Sequence, residues 1–116
     1  MISIVDDDES VREATKGLVR SLGHSAATFA SAEEFLQSKW IDDTRCVISD
    51  VQMPGLSGVD LQSRLIAQGN HTPIIFVSAF SDERTRAIGF LSKPFNEERL
   101  IEYLHAALAD MEPVPA

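Results

Sequence analysis

Apolar residues fall along this chain in two alternating rhythms. Ile2 to Val5 is a short, largely β-branched apolar run, the mark of a buried strand, and it stops at Asp6-Asp7-Asp8. From about Glu9 to Leu22 the spacing changes. Val11, Ala14, Leu18 and Leu22 recur every three or four residues, which predicts a helix with those four on its inner stripe and Gly23 as its C-terminal cap. Ser25 to Phe29 reads as a weaker second strand. Ser31-Ala32-Glu33-Glu34 predicts a capping box, with a serine oxygen for the helix amides and a glutamate reaching back. The helix it opens carries Phe35 and Leu36 and ends near Ser38, and Trp40 to Thr44 is a loop.

Arg45 to Asp50 predicts a third strand. Val59 to Gln68 predicts a helix with Leu61, Leu65 and Ile66 on one face, ended by Gly69. Pro73 to Ser78, P-I-I-F-V-S, is continuously apolar and predicts a buried fourth strand. Asp82 to Ile88 is a short polar helical piece, Gly89 to Ser92 a fifth strand, and Lys93-Pro94-Phe95 a turn. Asn96 can cap a last helix carrying Leu100, Ile101, Leu104, Ala107 and Leu108. Pro113 and Pro115 read as a linker or tail, so one domain is expected over 1–112, with 113–116 outside it. Strands and helices thus alternate five times, which predicts an α/β fold: a doubly wound, five-stranded parallel sheet with helices on both faces.

Composition changes this picture only at its margins. A chain of 116 residues, 44% hydrophobic and 24% charged, fits one ordinary globular domain that needs no disulfide or metal staple. No apolar run approaches the ~20 residues of a membrane span, and the first four apolar positions run straight into acids rather than forming a signal peptide. The single cysteine, Cys46, lies in a predicted strand and reads as a buried, inert thiol. A cytoplasmic protein without membrane contact is expected. The net charge of −8 argues against a nucleic-acid footprint on this domain, though not against a separate basic domain beyond it.

The charge is concentrated where the topology makes it count. Right-handed crossovers put the C-terminal ends of all parallel strands on one edge. That edge collects Asp6 and Asp7 after the first strand, Asp50 after the third, Ser78 at the end of the fourth and Lys93 after the fifth. In open α/β sheets ligands bind outside those ends. Three gathered carboxylates repel one another unless a cation neutralises them, and an all-oxygen set favours Mg²⁺ over zinc. Lys93 and Ser78 suit the oxygens of a phosphoryl group, and an aspartate can itself be the nucleophile that accepts one. The Asp8-Glu9 end of the acidic run reads instead as the acid-rich first turn of a helix. His24, His71 and His105 have no metal-ligand spacing and read as surface or helix-end residues.

Four segments, I-V-D-D-D-E-S-V-R, S-D-V-Q-M-P-G-L-S-G, V-S-A and F-L-S-K-P-F, stand in the order found in the receiver domain of bacterial response regulators, and the whole chain resembles that CheY-like family. Its flavour is that of the FixJ-like group that precedes LuxR-type DNA-binding domains. The resemblance implies a flavodoxin-like sheet of order 2-1-3-4-5 and a Mg²⁺-dependent switch in two-component signalling. It implies that Asp50 accepts the phosphoryl group from a sensor histidine kinase. Asp6, Asp7, Asp50 and the backbone carbonyl of Gln52 would hold the metal, and Ser78 and Lys93 the phosphoryl group. Ser78 and Phe90 would be the switch pair. It further implies homodimerisation on phosphorylation through the face of the fourth helix, fifth strand and last helix, with DNA reached only through a separate output domain. No enzymatic activity is expected beyond self-phosphorylation and autodephosphorylation at Asp50.

One departure from the family concerns the 15 positions from Ser78 to Lys93, about seven fewer than is usual, or close to two helical turns. Either the fourth helix is short, or residues between Ala87 and Ile88 are missing from the recorded sequence, and the second is the expectation. A genuinely short helix would favour a receiver-like interaction module that is never phosphorylated. A third reading takes Asp6-x-Asp8 as the nucleophile motif of a haloacid-dehalogenase-type phosphatase, which leaves Asp50 and Met53-Pro54-Gly55 without a role.

Overall fold

The five predicted strands form, as β1 (Ile2–Val5), β2 (Ala26–Phe29), β3 (Cys46–Asp50), β4 (Ile74–Ser78) and β5 (Gly89–Ser92). A computed structural model describes residues 1–53, 55–78, 89–92 and 97–111, and the side chains of 78, 89–92, 97 and 109–111 lie outside that description. The helical piece at 82–88 with its shortened form, the Lys93 turn, the Asn96 cap and the boundary at 112 also lie outside it. The strands make one parallel sheet of order β2-β1-β3-β4-β5. The helices are α1 (Glu9–Ser21), α2 (Ala32–Leu36), α3 (Gly58–Ala67) and α4 (Glu97–Met111).

Alternate strand residues face opposite sides of a sheet, so an unbroken apolar strand must be covered twice. One core gathers Ile2, Ile4, Cys46, Ile48, Ile75 and Val77 with Val19 of α1 and Leu100, Leu104 and Ala107 of α4. The other gathers Val5, Val47, Ile74 and Phe76 with Phe35 of α2, Leu61 and Leu65 of α3, and Met53. Ser3 points to the second side and is wholly buried. Its hydroxyl shares a 2.6 Å hydrogen bond with Thr44, whose own hydroxyl donates to the Trp40 carbonyl at 2.7 Å. A buried hydroxyl without a partner would cost about 1–3 kcal/mol.

Two helix faces differ from expectation. The buried seam of α1 is Thr15 and Val19, with Leu18 and Leu22 half-buried, whereas Ala14 is exposed. Thr15 reads as polar in sequence, but its methyl lets it serve as a core position, and a small alanine constrains neither side. On α3, Ile66 is 53% exposed, and the inward line is Gly58, Leu61 and Leu65. Gly58, Leu61 and Leu65 follow at three- and four-residue steps along one face, and Ile66, next to Leu65, stands about 100° round the helix from it.

The caps are as expected in kind and shifted in detail. Ser31 Oγ accepts the Glu34 amide at 3.1 Å, but the Glu34 carboxylate reaches the Ala30 amide at 3.0 Å, one residue before the cap. A complete capping box occurs instead at α3, between Ser57 and Asp60. Gly23 and Gly69 end α1 and α3 at φ +91° and +77°, where a Cβ would be strained.

Cys46 is wholly buried in β3, and burial pushes its thiol up from 9.0 to about 12. A thiol-specific reagent at pH 8 is expected to leave the native protein unmodified and to react fully once urea unfolds it. The folded pKa lies above the unfolded one, so this contribution to stability is intact below pH 9 and is lost as pH rises through 12. At pH 10 it amounts to a loss of about 1.4 kcal/mol relative to pH 8, readable from urea midpoints.

Candidate functional site: an acidic cluster at the strand ends

The register decides which side chains meet. Val5 pairs with Ser49, so the next residues, Asp6 and Asp50, stand side by side beyond the ends of neighbouring strands. One carboxylate oxygen from each of Asp6, Asp7 and Asp50 lies within 4.8 Å of the others. Asp6 and Asp50 are buried, at 3% and 7% exposure, and Asp7 is exposed. The cluster therefore has one face open to water and two carboxylates held against the sheet.

Local hydrogen bonds position each acid. Asp6 Oδ1 accepts the Asp8 amide at 2.9 Å, and the Arg12 guanidinium donates to the Asp6 main-chain carbonyl at 2.7 Å. Arg12 lies on α1, so the helix holds the loop that presents Asp6 and Asp7. Asp50 Oδ1 accepts the Gln52 amide at 3.2 Å, which turns the chain immediately after β3. The turn is closed from the other side by the Gly58 amide, which donates to the Val51 carbonyl at 2.9 Å. Gly58 permits that approach. A Cβ there would meet the Asp50 carbonyl oxygen, Phe76 Cε1 at 3.0 Å and Val51 Cα at 3.1 Å.

Asp8 does a different job. Its Oδ1 accepts the Ser10 and Val11 amides at 2.9 and 3.4 Å, which makes it the N-cap of α1, and Glu9 follows in the first turn. A phosphatase using Asp6-x-Asp8 would need Asp8 turned toward the substrate, and here it serves the helix.

Asp50 pairs with Val77 and Ser78 with Ser92, so Ser78 lies one step beyond Asp50 along the neighbouring strand, and Lys93 follows β5 directly. The backbone thus brings Ser78 to the acidic edge. The side chains of Ser78 and Phe90, and all of Lys93, lie outside the described residues. Gln52 is exposed in the loop after Asp50. Sequence reasoning missed Arg12 and Gly58 as parts of the site. Arg12 belongs to the first quoted segment and Gly58 to the second, but only the folded chain reveals which backbone atoms they touch.

The donor set suits Mg²⁺. It consists of hard carboxylate oxygens, and no histidine or cysteine joins it among the described residues. Among the described residues no helix is long and apolar enough to cross a membrane.

The family model described as the response regulator receiver domain matches residues 2–105. Nodulation protein W of Bradyrhizobium diazoefficiens is 40% identical over 92% of this chain and 50% of its own length. The transcriptional regulatory protein FixJ of the same organism is 34% identical, over 97% and 58%. The chain spans about half the length of the curated relatives it matches. The solved structure of the response regulator StyR superposes with a TM-score of 0.86 at 37% identity, covering 93% of this chain and 58% of StyR. That of the response regulator TrrA from Thermotoga maritima, in complex with Mg²⁺-BeF, gives 0.81 at 28% identity, covering 91% and 96%. The match to nodulation protein W runs over 114 positions, whereas 92% of this chain is about 107 residues. About seven positions of that relative have no counterpart here, a number equal in size to the shortening read between Ser78 and Lys93.

Proposed function

The chain belongs to the response regulator receiver domain family, and from that premise we propose that it is a phosphorylation-controlled switch with Asp50 as the phospho-acceptor. The observation that carries this reading is the convergence of the Asp6, Asp7 and Asp50 carboxylates within 4.8 Å at the C-terminal edge of a parallel sheet. Among the three, Asp50 alone lies within a strand, as the last residue of β3, the middle strand of the sheet.

In the proposed reaction an Asp50 carboxylate oxygen attacks the phosphorus of a phosphohistidine on a sensor kinase. The phosphorus–nitrogen bond breaks, and the departing imidazole takes up a proton. Asp6 and Asp7, with Asp50 and the Gln52 carbonyl, would hold Mg²⁺, which supplies neutralisation of the charge gathered on the phosphoryl oxygens. Lys93 holds one phosphoryl oxygen as a point charge, and Ser78 donates a hydrogen bond to another. Arg12 keeps the Asp6 loop in place through the main chain, so it orients without touching the reacting atoms. The complex of the 28%-identical TrrA with Mg²⁺-BeF supports the choice of cation.

The signal then leaves by a two-state element biased by the new charge. Ser78 moves toward the phosphoryl group, Phe90 turns into the space it leaves, and the face that includes β5 and α4 changes. Two receivers pair through that face. An output domain that binds DNA would occupy the length by which the relatives exceed this chain, in keeping with the name of the transcriptional regulatory protein FixJ. Such a protein works in the cytoplasm and catalyses only its own phosphorylation and dephosphorylation.

The test is incubation with labelled acetyl phosphate and Mg²⁺. Label is expected on the wild type and lost completely in Asp50→Asn. Turnover of a phosphoester that survives Asp50→Asn but not Asp6→Asn would overturn the reading in favour of a phosphatase.

A further inference from the structure

Glu33 is the second residue of α2, and its carboxylate leaves the helix. Glu33 Oε1 accepts the Leu56 amide at 2.7 Å, across 23 positions of sequence. The contact joins α2 to the loop between β3 and α3, the loop that begins at Asp50 and carries Gln52. Gly55 is shaped to this contact. It takes φ +80°, and a Cβ there would stand 3.0 and 3.2 Å from the two Glu33 carboxylate oxygens. The backbone at residue 55 and the carboxylate are therefore packed against each other, and the amide that follows is the one Glu33 accepts.

The loop is also anchored by packing of Val51 and Leu56 against the second core and by the Ser57–Asp60 capping box at its end. Its start is held by the Gln52 amide on Asp50 Oδ1, its end by Gly58 on the Val51 carbonyl, and Met53 is sunk into the second core at 9% exposure. Among the described residues between Met53 and Ser57, the Glu33–Leu56 bond is the hydrogen bond that ties the loop's main chain to α2. An ionised acceptor makes a hydrogen bond roughly twice as strong as a neutral one.

We infer that Glu33 is a positioning residue for the phospho-acceptor loop: by holding the Leu56 amide it sets the loop in the conformation that binds Mg²⁺ beside Asp50. It touches neither metal nor phosphoryl group and acts through the backbone from Leu56 toward Gln52. The inference rests on the phospho-acceptor reading above, and it makes α2 part of the site's support.

The test uses Glu33→Ala and Glu33→Gln in the full chain, with two readouts that need no phosphorylation. Calorimetric titration with Mg²⁺ is expected to give a dissociation constant about five-fold weaker for Glu33→Ala, the loss of one hydrogen bond. Glu33→Gln keeps an acceptor oxygen and is expected to stay within about two-fold. Amide exchange of the metal-free protein is expected to lose protection at Leu56 in Glu33→Ala and to keep it in Glu33→Gln. The inference is wrong if Glu33→Ala binds Mg²⁺ as the wild type does, or if Glu33→Gln falls with it, since the charge and not the bond would then matter. A wild type that binds no Mg²⁺ and takes no label from acetyl phosphate would remove the phospho-acceptor reading itself, and this inference with it.

Discussion

Gly58→Ala is expected to lower the stability of the fold by about 2–3 kcal/mol and to move Asp50 out of register with Asp6. The new methyl group would meet three neighbours, and none is the tip of a flexible side chain. Two are backbone, the Asp50 carbonyl oxygen and Val51 Cα, and the third is the ring of Phe76, which is wholly buried. Overpacking of this kind is relieved only by shifting β3 or tilting α3, and both carry the site. A control of opposite sign lies in the same chain. Gly17 sits within α1, a Cβ there meets nothing within 4 Å, and Gly17→Ala is expected to stabilise by up to about 1 kcal/mol. Urea midpoints of the two variants should therefore move apart. Equal midpoints would mean that the β3–α3 turn is soft and that Gly58 does not define Asp50's position.

That contrast marks what could be read from the chain and what could not. Strands β1, β3 and β4 are readable because each is a short, largely apolar run stopped by an acid or a serine, and a parallel sheet buries both faces of such a run. The acidic cluster was readable because strand ends share an edge, so the last residues of two runs meet whatever lies between. The inner face of α1 was not. Four apolar letters at helical spacing favoured Ala14, while burial went to Thr15, whose hydroxyl hides a core methyl from any pattern of polar and apolar letters. Ile66 failed for a related reason, since adjacent apolar residues on a helix point about 100° apart and one must turn to water. In the sequence Glu33 reads as part of a cap, because an acid after a serine at a helix start has a local use. Its actual partner is 23 residues away, and no local rule reaches that far. Arg12 and Gly58 act on main-chain atoms, which carry no signature in the sequence of the residues they belong to.

Asp50→Asn should make the protein more stable in the absence of divalent cations, although it destroys the proposed phospho-acceptor. Asp6 and Asp50 are both buried, and their carboxylates belong to a group whose oxygens lie within 4.8 Å. At an effective dielectric of about 20, two like charges at that separation repel by roughly 3 kcal/mol before solvent and hydrogen bonds offset them. Solvent at the open Asp7 face screens most of that repulsion, and the Gln52 amide bond drops out of the comparison because the asparagine oxygen can keep it. A net gain of about 1 kcal/mol is left, a rise of some 4 °C in melting temperature for a domain of this size. Mg²⁺ should act on only one of the two proteins. On the proposed reading it binds only the folded wild type, so adding it at ten times its dissociation constant should raise that protein's stability by about 1.4 kcal/mol. In Asp50→Asn the same addition should leave the melting temperature nearly unchanged. The order of stability thus inverts with the cation, the variant ahead without it and the wild type level or ahead with it. A wild type that melts above Asp50→Asn in the presence of a chelator would show that hydrogen bonds already outweigh the repulsion. The acidic edge would then be relaxed as it stands, not held apart until a cation arrives.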